Sequence, residues 1–218
     1  MIVVVNGQSG SGKTFCANEL SMRFGIPSLS QDEFKEVLFD SFGTRHHFYS
    51  RQIERASFEL MLATAGKLLH NCRALIIEST FDQVKSPAVI AGIAAEHSAE
   101  LFQIYLKTDY STRLRRITKR QKLGERHAGH RTLKNRIMLP TKLALSAFGY
   151  RGTQCHGPLE MDCQSIEIDT TDLGSLVYAE LFQEFCCARA ARSGGSRPEL
   201  SVQQRPHVRA NVSRRSTV

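Results

Sequence analysis

A glycine-rich segment close to the start of the chain constrains the fold more strongly than any other feature. Residues 7–14 read Gly-Gln-Ser-Gly-Ser-Gly-Lys-Thr, with the first and last glycines five positions apart. Glycine tolerates positive φ angles, so consecutive backbone N–H groups can turn inward around phosphate oxygens. The lysine can place a cation against the β- and γ-phosphates, and the threonine hydroxyl can bind Mg²⁺. This spacing is that of a phosphate-binding loop, or P-loop, and predicts a nucleotide-phosphate site.

The sequence on either side of the loop fits this interpretation. Residues 2–5 form an unbroken β-branched run, as expected of a strand that is buried on both faces. Apolar residues between 16 and 24 predict a helix whose N-terminus meets the phosphate. The predicted nucleotide-binding residues are Gly7, Gln8, Ser9, Gly10, Ser11, Gly12, Lys13 and Thr14.

Composition excludes several classes of protein. With 218 residues, of which 41% are hydrophobic and 23% charged, the chain is long enough for one globular α/β domain. No apolar run approaches the roughly 20 residues that span a bilayer. The apolar run at the N-terminus is four residues long and leads directly into the P-loop, so we do not interpret it as a signal peptide. We therefore expect a cytoplasmic protein without a membrane segment.

The six cysteines contain no C-x-x-C pair, which favours free thiols in a reducing compartment. Cys155, His156 and Cys163 are close enough in sequence to suggest a metal site, but no fourth ligand lies at a useful spacing.

Two acidic residues follow predicted strands and are candidates for chemistry. Asp32 comes directly after a short strand at 27–30, close to a helix start, where the carboxyl ends of parallel strands open onto a ligand crevice. A carboxylate there can accept the proton of an incoming hydroxyl group, although an ordinary helix N-cap is the alternative. Glu78 closes the apolar strand at 74–77, and an acid in that position after a P-loop orients Mg²⁺ or holds the substrate. Asp82 is a weaker candidate for the same task.

The net charge of +8 is concentrated in two stretches. Residues 109–136 contain ten lysines or arginines and two acids, and the glycines at 124 and 129 can act as hinges. This pattern predicts a mobile basic lid over a triphosphate, with a solvated helix face as the alternative. Residues 188–218 contain seven arginines and one acid, and the composition from residue 193 predicts a disordered tail. Non-specific attraction of this tail to nucleic acid remains a second interpretation.

The remaining pattern alternates between strands and helices, which predicts an α/β domain. Further helices are expected at 48–71, 84–97, 131–148 and 173–191, and further strands at 101–106 and 166–169.

By these motifs the chain resembles, over roughly residues 1–185, the P-loop kinases related to zeta toxins, chloramphenicol phosphotransferase and the kinase domain of polynucleotide kinases, which are often described as AAA-family ATP-binding proteins. The resemblance rests on the P-loop, on residues 30–35 (Ser-Gln-Asp-Glu-Phe-Lys) and on residues 124–130 (Gly-Glu-Arg-His-Ala-Gly-His). The last segment looks like the family's Arg-His-Pro-Gly-His with Ala128 in place of proline.

The resemblance implies a P-loop NTPase fold, with a parallel five-stranded sheet flanked by helices and a basic helical lid at about 109–136, as in nucleoside monophosphate kinases. It implies ATP and Mg²⁺ as cofactors, with Thr14 and Glu78 at the metal. It implies that Asp32 is the general base and that Lys13, Arg120 and Arg126 stabilise negative charge. The kinase domain would span residues 1–192, and the tail 193–218.

The expected activity is transfer of the γ-phosphoryl group of ATP to a hydroxyl group of a small molecule. A 5′-hydroxyl polynucleotide kinase and a nucleotide-switched binding module without an acceptor are the alternatives. Nucleic acid is not favoured as a partner, because the sequence lacks interleaved aromatic and basic residues for base stacking. The acceptor and the oligomeric state are left open by the sequence.

Overall fold

The fold is taken from a computed structural model, which describes residues 1–43, 49–125, 127, 129, 157–172 and 185, with residues 49 and 50 described in the backbone only. The chain divides into two compact units, Met1–Leu181 and Phe182–Val218. Only Phe185 is described in the second unit. The expected helices at 131–148 and 173–191 and the expected tail lie outside the described residues, apart from Phe185.

Strands and helices alternate along the described part of the first unit. In chain order they are β1 (Ile2–Gly7), α1 (Lys13–Phe24), β2 (Ser28–Ser30), α2 (Gln31–Phe42), α3 (Tyr49–Leu69), β3 (Leu75–Glu78), α4 (Ser86–Glu96), β4 (Leu101–Lys107), α5 (Tyr110–Lys122) and β5 (Gln164–Asp169).

The five strands form one sheet in the order β2-β3-β1-β4-β5, and all four pairings are parallel. The α/β class and the parallel five-stranded sheet expected from the sequence are therefore confirmed. Because every strand runs in the same direction, their carboxyl ends share one edge. Glu78 at the end of β3 stands in register with Val5 of β1 and with Ser30 of β2. The loop after β1 and the start of α2 thus lie at that same edge.

Burial explains why the strands could be predicted from the run of apolar residues. Every residue of β1 is buried, and the β-branched run predicted that, since helices cover both faces of a parallel sheet. Burying one Val, Leu or Ile side chain contributes about 1.5–3 kcal/mol. On one face, the strands pack against buried residues of α3 and α4, among them Met61, Ala65, Ile90 and Ala94. At the edge of the sheet, β5 has no fully buried residue.

Element boundaries depart from the expected ones by a few residues. The expected helix at 84–97 begins at Ser86, because the Asp82 carboxylate accepts hydrogen bonds of 2.9 Å from the N–H groups of Val84 and Lys85 and forms a turn there. The helix α1 ends as expected at Gly25, whose φ of 63° is left-handed. None of the helices in the described ranges is long and apolar enough to span a membrane.

Candidate active site

The P-loop joins β1 to α1 with the backbone geometry that its glycines predicted. Gly10 has a φ of 84° and Gly12 a φ of 92°, and an alanine at position 10 would bring its Cβ within 3.0 Å of the Arg113 carbonyl oxygen and 3.1 Å of the Ile117 side chain. The loop therefore has both the left-handed turns and the close packing that exclude larger residues. A backbone of this kind can turn its N–H groups inward and bind phosphate oxygens.

The first turn of α1 supplies further groups to this surface. Its N-cap is Gly12, which has no side chain to cover the N–H groups of the turn. Those N–H groups have no intrahelical partner, so they provide an anion site at a positive helix end. Lys13 is only 8% exposed, and its Nζ donates a 3.3 Å hydrogen bond to the Gln8 carbonyl. Ser11 Oγ is buried without a hydrogen-bond partner among the described residues.

The carboxylate of Glu78 is buried beside the P-loop. It accepts hydrogen bonds from Ser30 Oγ at 2.7 Å and from Thr14 Oγ1 at 3.3 Å. Burial raises the pKa of Glu78, the nearby Lys13 ammonium and the Ser30 hydroxyl oppose that rise, and the negative charge of Asp32 adds to it. Thr14 and Glu78, the two predicted metal ligands, are therefore adjacent.

Asp32 lies in the first turn of α2 and is exposed. The N-cap position is held by Ser30, so the alternative interpretation of Asp32 as the N-cap is wrong. Asp32 follows the carboxyl end of β2, where Ser30 stands in register with Glu78, so both acids lie at the same edge of the sheet. An exposed carboxylate beside the phosphate-binding surface can accept a proton from a bound hydroxyl group.

The start of α2 is fixed by a buried network centred on Gln31. Its Oε1 accepts a hydrogen bond from Ser79 Oγ, and its Nε2 donates to the Glu54 carbonyl at 3.0 Å and to Ser57 Oγ at 3.2 Å. The carbonyl can only accept, so the orientation of the amide is determined. Every hydrogen of the Gln31 amide is thus used, and Asp32 follows directly in the chain.

The arginines of α5 have different roles. Arg113 is 5% exposed, burial lowers the pKa of its guanidinium group, and its Nε has no partner among the described residues. Arg116 donates to the carbonyl oxygens of Gly10 at 3.4 Å and Thr170 at 2.6 Å. Arg120, in the last turn, is exposed. The first turns of α5 therefore pack against the P-loop, and Arg126 lies outside the described residues.

The segment after α5 contacts α2. Gly129 N–H donates to His127 Nδ1 at 3.1 Å, so Nε2 carries the proton and donates to Asp40 Oδ1 at 2.9 Å. The imidazole also stacks on Phe39, with ring centroids 6.3 Å apart. This segment therefore contacts α2, the helix whose first turn contains Asp32, while α5 contacts the P-loop.

Within the described ranges, no group of three or more His, Cys, Asp or Glu side chains forms a metal site. Of the suggested cysteine and histidine site, Cys155 and His156 lie outside those ranges, and Cys163 is half-buried. Cys16 is a buried free thiol, and burial raises its pKa to about 12, which disfavours the reactive thiolate form.

Sequence reasoning missed several polar residues at this edge. Each of them lies at the end of a parallel strand or directly after it: Ser30, Gln31, Ser79 and Thr170. The signal was present, because side chains directly beyond the carboxyl ends of parallel strands face the ligand crevice. The hydrogen-bond partners lie up to 159 positions away in sequence and required the fold.

Comparison with known proteins agrees with this geometry. A family model described as an AAA domain matches residues 2–137. The chain is similar to a crystal structure described as a "putative kinase" from Chloroflexus aurantiacus J-10-fl, with 26% identity, a TM-score of 0.72, and coverage of 84% of this chain and 95% of that one. It also resembles a sugar kinase from Janibacter sp. HTCC2649, with 16% identity, a TM-score of 0.50, and coverage of 87% and 96%.

No curated protein matches the chain. The narrower resemblance to zeta toxins, chloramphenicol phosphotransferase and polynucleotide kinases stays a prediction. The family match extends over more than half of the chain and includes the P-loop, Asp32 and Glu78. The chain therefore belongs to the AAA domain family and has the fold of a P-loop kinase.

Proposed function

We propose that this protein is an ATP-dependent phosphotransferase that moves the γ-phosphoryl group to a hydroxyl group of a small molecule. The observation that carries the proposal is the exposed Asp32 in the first turn of α2, at the same sheet edge as the buried Glu78 carboxylate, which accepts a hydrogen bond from Thr14 of the P-loop. A protein that only binds the nucleotide has no use for a second, solvent-accessible acid there. The description of the similar Chloroflexus structure as a kinase supports the same proposal.

The P-loop fits a triphosphate. The N–H groups at the start of α1, the Lys13 ammonium and the buried Ser11 hydroxyl, which has no partner among the described residues, all belong to the P-loop or to the first turn that follows it. Lys13 would stabilise the charge on the β- and γ-phosphates.

The pair of Thr14 and Glu78 fits Mg²⁺, which binds proteins through one or two carboxylates and keeps several waters. Bound Mg²⁺ would neutralise charge on the phosphates. Glu78 would hold it directly or through water, and Ser30 would orient the carboxylate through the 2.7 Å hydrogen bond.

Asp32 would take the proton from the acceptor hydroxyl, and Arg120 and Arg126 would stabilise the transferring group from the lid. Because the first turns of α5 are packed on the P-loop, we place the lid after Ile117, a later start than residue 109. His127, which contacts Asp40, would anchor the far end of the lid segment on α2.

A screen of ATP consumption against sugars, nucleosides, antibiotics and 5′-hydroxyl oligonucleotides tests the proposal. With an acceptor in hand, Asp32→Asn should reduce the turnover rate by about 10²- to 10⁴-fold and leave ATP affinity unchanged, since general-base catalysis contributes that factor. Glu33→Gln is the matched control, because Glu33 is also an exposed acid in the first turn of α2.

Three outcomes would contradict the proposal. Transfer at the original rate by Asp32→Asn would remove Asp32 from the mechanism and leave Glu78 and Asp82 to be tested. Transfer to oligonucleotides alone would identify a polynucleotide kinase. ATP binding without any acceptor in the screen would favour the nucleotide-switched module.

A further inference from the structure

The carboxyl end of β5 meets the P-loop through a buried threonine. Thr170 follows the last residue of β5 and is fully buried, although a hydroxyl group is costly to bury without hydrogen bonds. Its Oγ1 donates to the Ser11 carbonyl oxygen at 2.7 Å, and it lies 2.6 Å from Thr108 Oγ1. Residues from β4, β5 and the P-loop therefore converge on one hydroxyl group.

The donors and acceptors in this chain of hydroxyl groups can be assigned. Thr170 has one hydroxyl proton, and the Ser11 carbonyl can only accept. The Lys107 carbonyl is the other acceptor in reach, at the longer distance of 3.1 Å. Thr108 therefore donates to Thr170, and Thr170 donates to Ser11.

Arg116 binds backbone carbonyl groups next to this threonine. Its guanidinium group donates to the carbonyl oxygen of Gly10 at 3.4 Å, and to those of Thr170 at 2.6 Å and Thr171 at 3.3 Å. The carbonyl oxygens of two consecutive P-loop residues, Gly10 and Ser11, are thus bound by groups at the end of β5 and on α5.

This arrangement orients the opposite side of the loop. A trans peptide unit is planar, so its N–H points away from its C=O. The Ser11 N–H donates within the loop to the Gln8 carbonyl oxygen at 3.1 Å. Holding the Ser11 carbonyl oxygen toward Thr170 therefore turns the N–H of Gly12 to the opposite side, the concave side on which a P-loop binds phosphate oxygens.

We propose that Thr170 is a positioning residue for the P-loop, which sets phosphate affinity through its hydrogen bond to the Ser11 carbonyl. The inference rests on the proposed function, because it requires that the P-loop binds ATP. Thr170 lies beyond residues 2–137, which the family model matches, so this part of the phosphate site belongs to the portion of the chain outside that match.

The test uses the full-length protein and calorimetric titration with two probes, Mg·ATP and inorganic tripolyphosphate. Thr170→Val keeps the branched shape and removes the hydroxyl group, and we expect it to weaken the binding of both probes by about 3- to 10-fold, the factor for one hydrogen bond. Thr170→Ser restores the hydroxyl group and should restore affinity.

Thr108→Val is the matched control, since it removes the bond between the two hydroxyl groups but leaves the one from Thr170 to Ser11. It should retain ATP affinity within about twofold, a loss smaller than that for a full hydrogen bond. If Thr170→Val fails to fold, Thr170→Ala, which also lacks the hydroxyl group, is titrated in its place.

The outcomes separate this inference from the proposed function. Unchanged binding by Thr170→Val, an equal loss in Thr108→Val, or a loss for Mg·ATP without one for tripolyphosphate would each overturn the inference alone. An unaltered protein that binds neither probe would overturn the proposed function and the inference with it.

Discussion

The two halves of the candidate site are held together by different kinds of contact. On the phosphate side, Thr170 and Arg116 bind backbone carbonyl oxygens of the P-loop, and glycine conformations shape the surface. On the acceptor side, most of the contacts join two side chains: Ser30 with Glu78, and Gln31 with Ser57 and Ser79, in addition to its bond to the Glu54 carbonyl.

This difference determines how each half of the site should respond to substitution of its side chains. Backbone groups on the phosphate side are present whatever the side chains are, so the geometry follows from a short motif of glycines. The acceptor side depends on specific donors and acceptors 26 to 48 positions apart, and replacing one member leaves a buried partner unsatisfied. We therefore expect phosphate binding and transfer to an acceptor to be separable by mutation.

The largest effect beyond that of Asp32 is expected at Arg126, which the proposal assigns to the lid. Arg126→Ala should lower the turnover rate by about 10²- to 10³-fold and change ATP affinity little, because its charge matters most while the phosphoryl group transfers. Steady-state rates and ATP titration check this. The control is Arg115→Ala, an exposed arginine on α5, and an equal loss of affinity and rate at Arg126 would show that it only anchors ATP.

Gln31→Met should give the next largest effect, confined to the acceptor side. The change removes the amide that fixes the first turn of α2, and a displacement of about 1 Å at a catalytic group can cost up to about 10²-fold in rate. ATP affinity should not change. If Gln31 acts through Asp32, the double variant with Asp32→Asn should be no slower than Asp32→Asn alone.

The matched control for Gln31→Met is Glu54→Gln. It weakens the exposed pair between Glu54 and Lys35 but keeps the Glu54 carbonyl that accepts from Gln31. A surface pair contributes about 0–1 kcal/mol, so turnover should stay near that of the unaltered protein. Additive losses in the double variant with Asp32→Asn would show that Gln31 has a general structural role.

The same contrast explains what the sequence could predict. The buried run of β1 and the glycine spacing are local patterns. For that reason the parallel sheet, and the individual residues of the phosphate side, could be predicted from the sequence. Glu78 and Asp32 were found because they follow strands. The roles of Gln31 and Thr170 were not predicted, because no local pattern identifies a buried polar side chain whose partner lies far away in sequence. Arg113 and Arg116 belong to the basic stretch that was predicted to form a mobile lid, but folding buries the first and binds the second to carbonyl groups.

Glu78→Gln should have a smaller effect, on stability and on the metal dependence of binding. Burial raises the pKa of Glu78, so the folded state binds the proton more tightly than the unfolded state does. The free energy of unfolding contributed by Glu78 therefore falls as pH rises from the ordinary carboxyl pKa through the raised one, and the loss persists at neutral pH.

Glutamine removes this penalty and can still accept from Ser30, so the nucleotide-free variant should be more stable than the unaltered protein at pH 7–8. Urea unfolding between pH 4 and pH 8 measures this, and titration with and without Mg²⁺ should show that ATP binding has lost its metal dependence. Glu33→Gln, an exposed acid, is the control. Lower stability of Glu78→Gln at pH 8 would mean that the electrostatic attraction between Glu78 and the nearby Lys13 ammonium outweighs the cost of burial.

The smallest effect is expected from deleting residues 193–218, and it tests whether both halves of the site are complete without them. The described groups of the phosphate side and of the acceptor side all lie between residues 1 and 172. The composition of the deleted segment predicts that it cannot bury enough apolar surface to fold. ATP affinity should therefore stay within about twofold of that of the full chain, less than the effect of one hydrogen bond.

Repeating the titration at low and at high salt sharpens this last prediction. The deletion removes five arginines, and the only contribution expected of them is a diffuse attraction to anions that salt screens. A weak preference for the full chain at low salt that disappears at high salt would agree with that. Loss of ATP binding at both salt concentrations would place part of the tail in the phosphate side, and the contrast between the two halves would then have to include a third contributor.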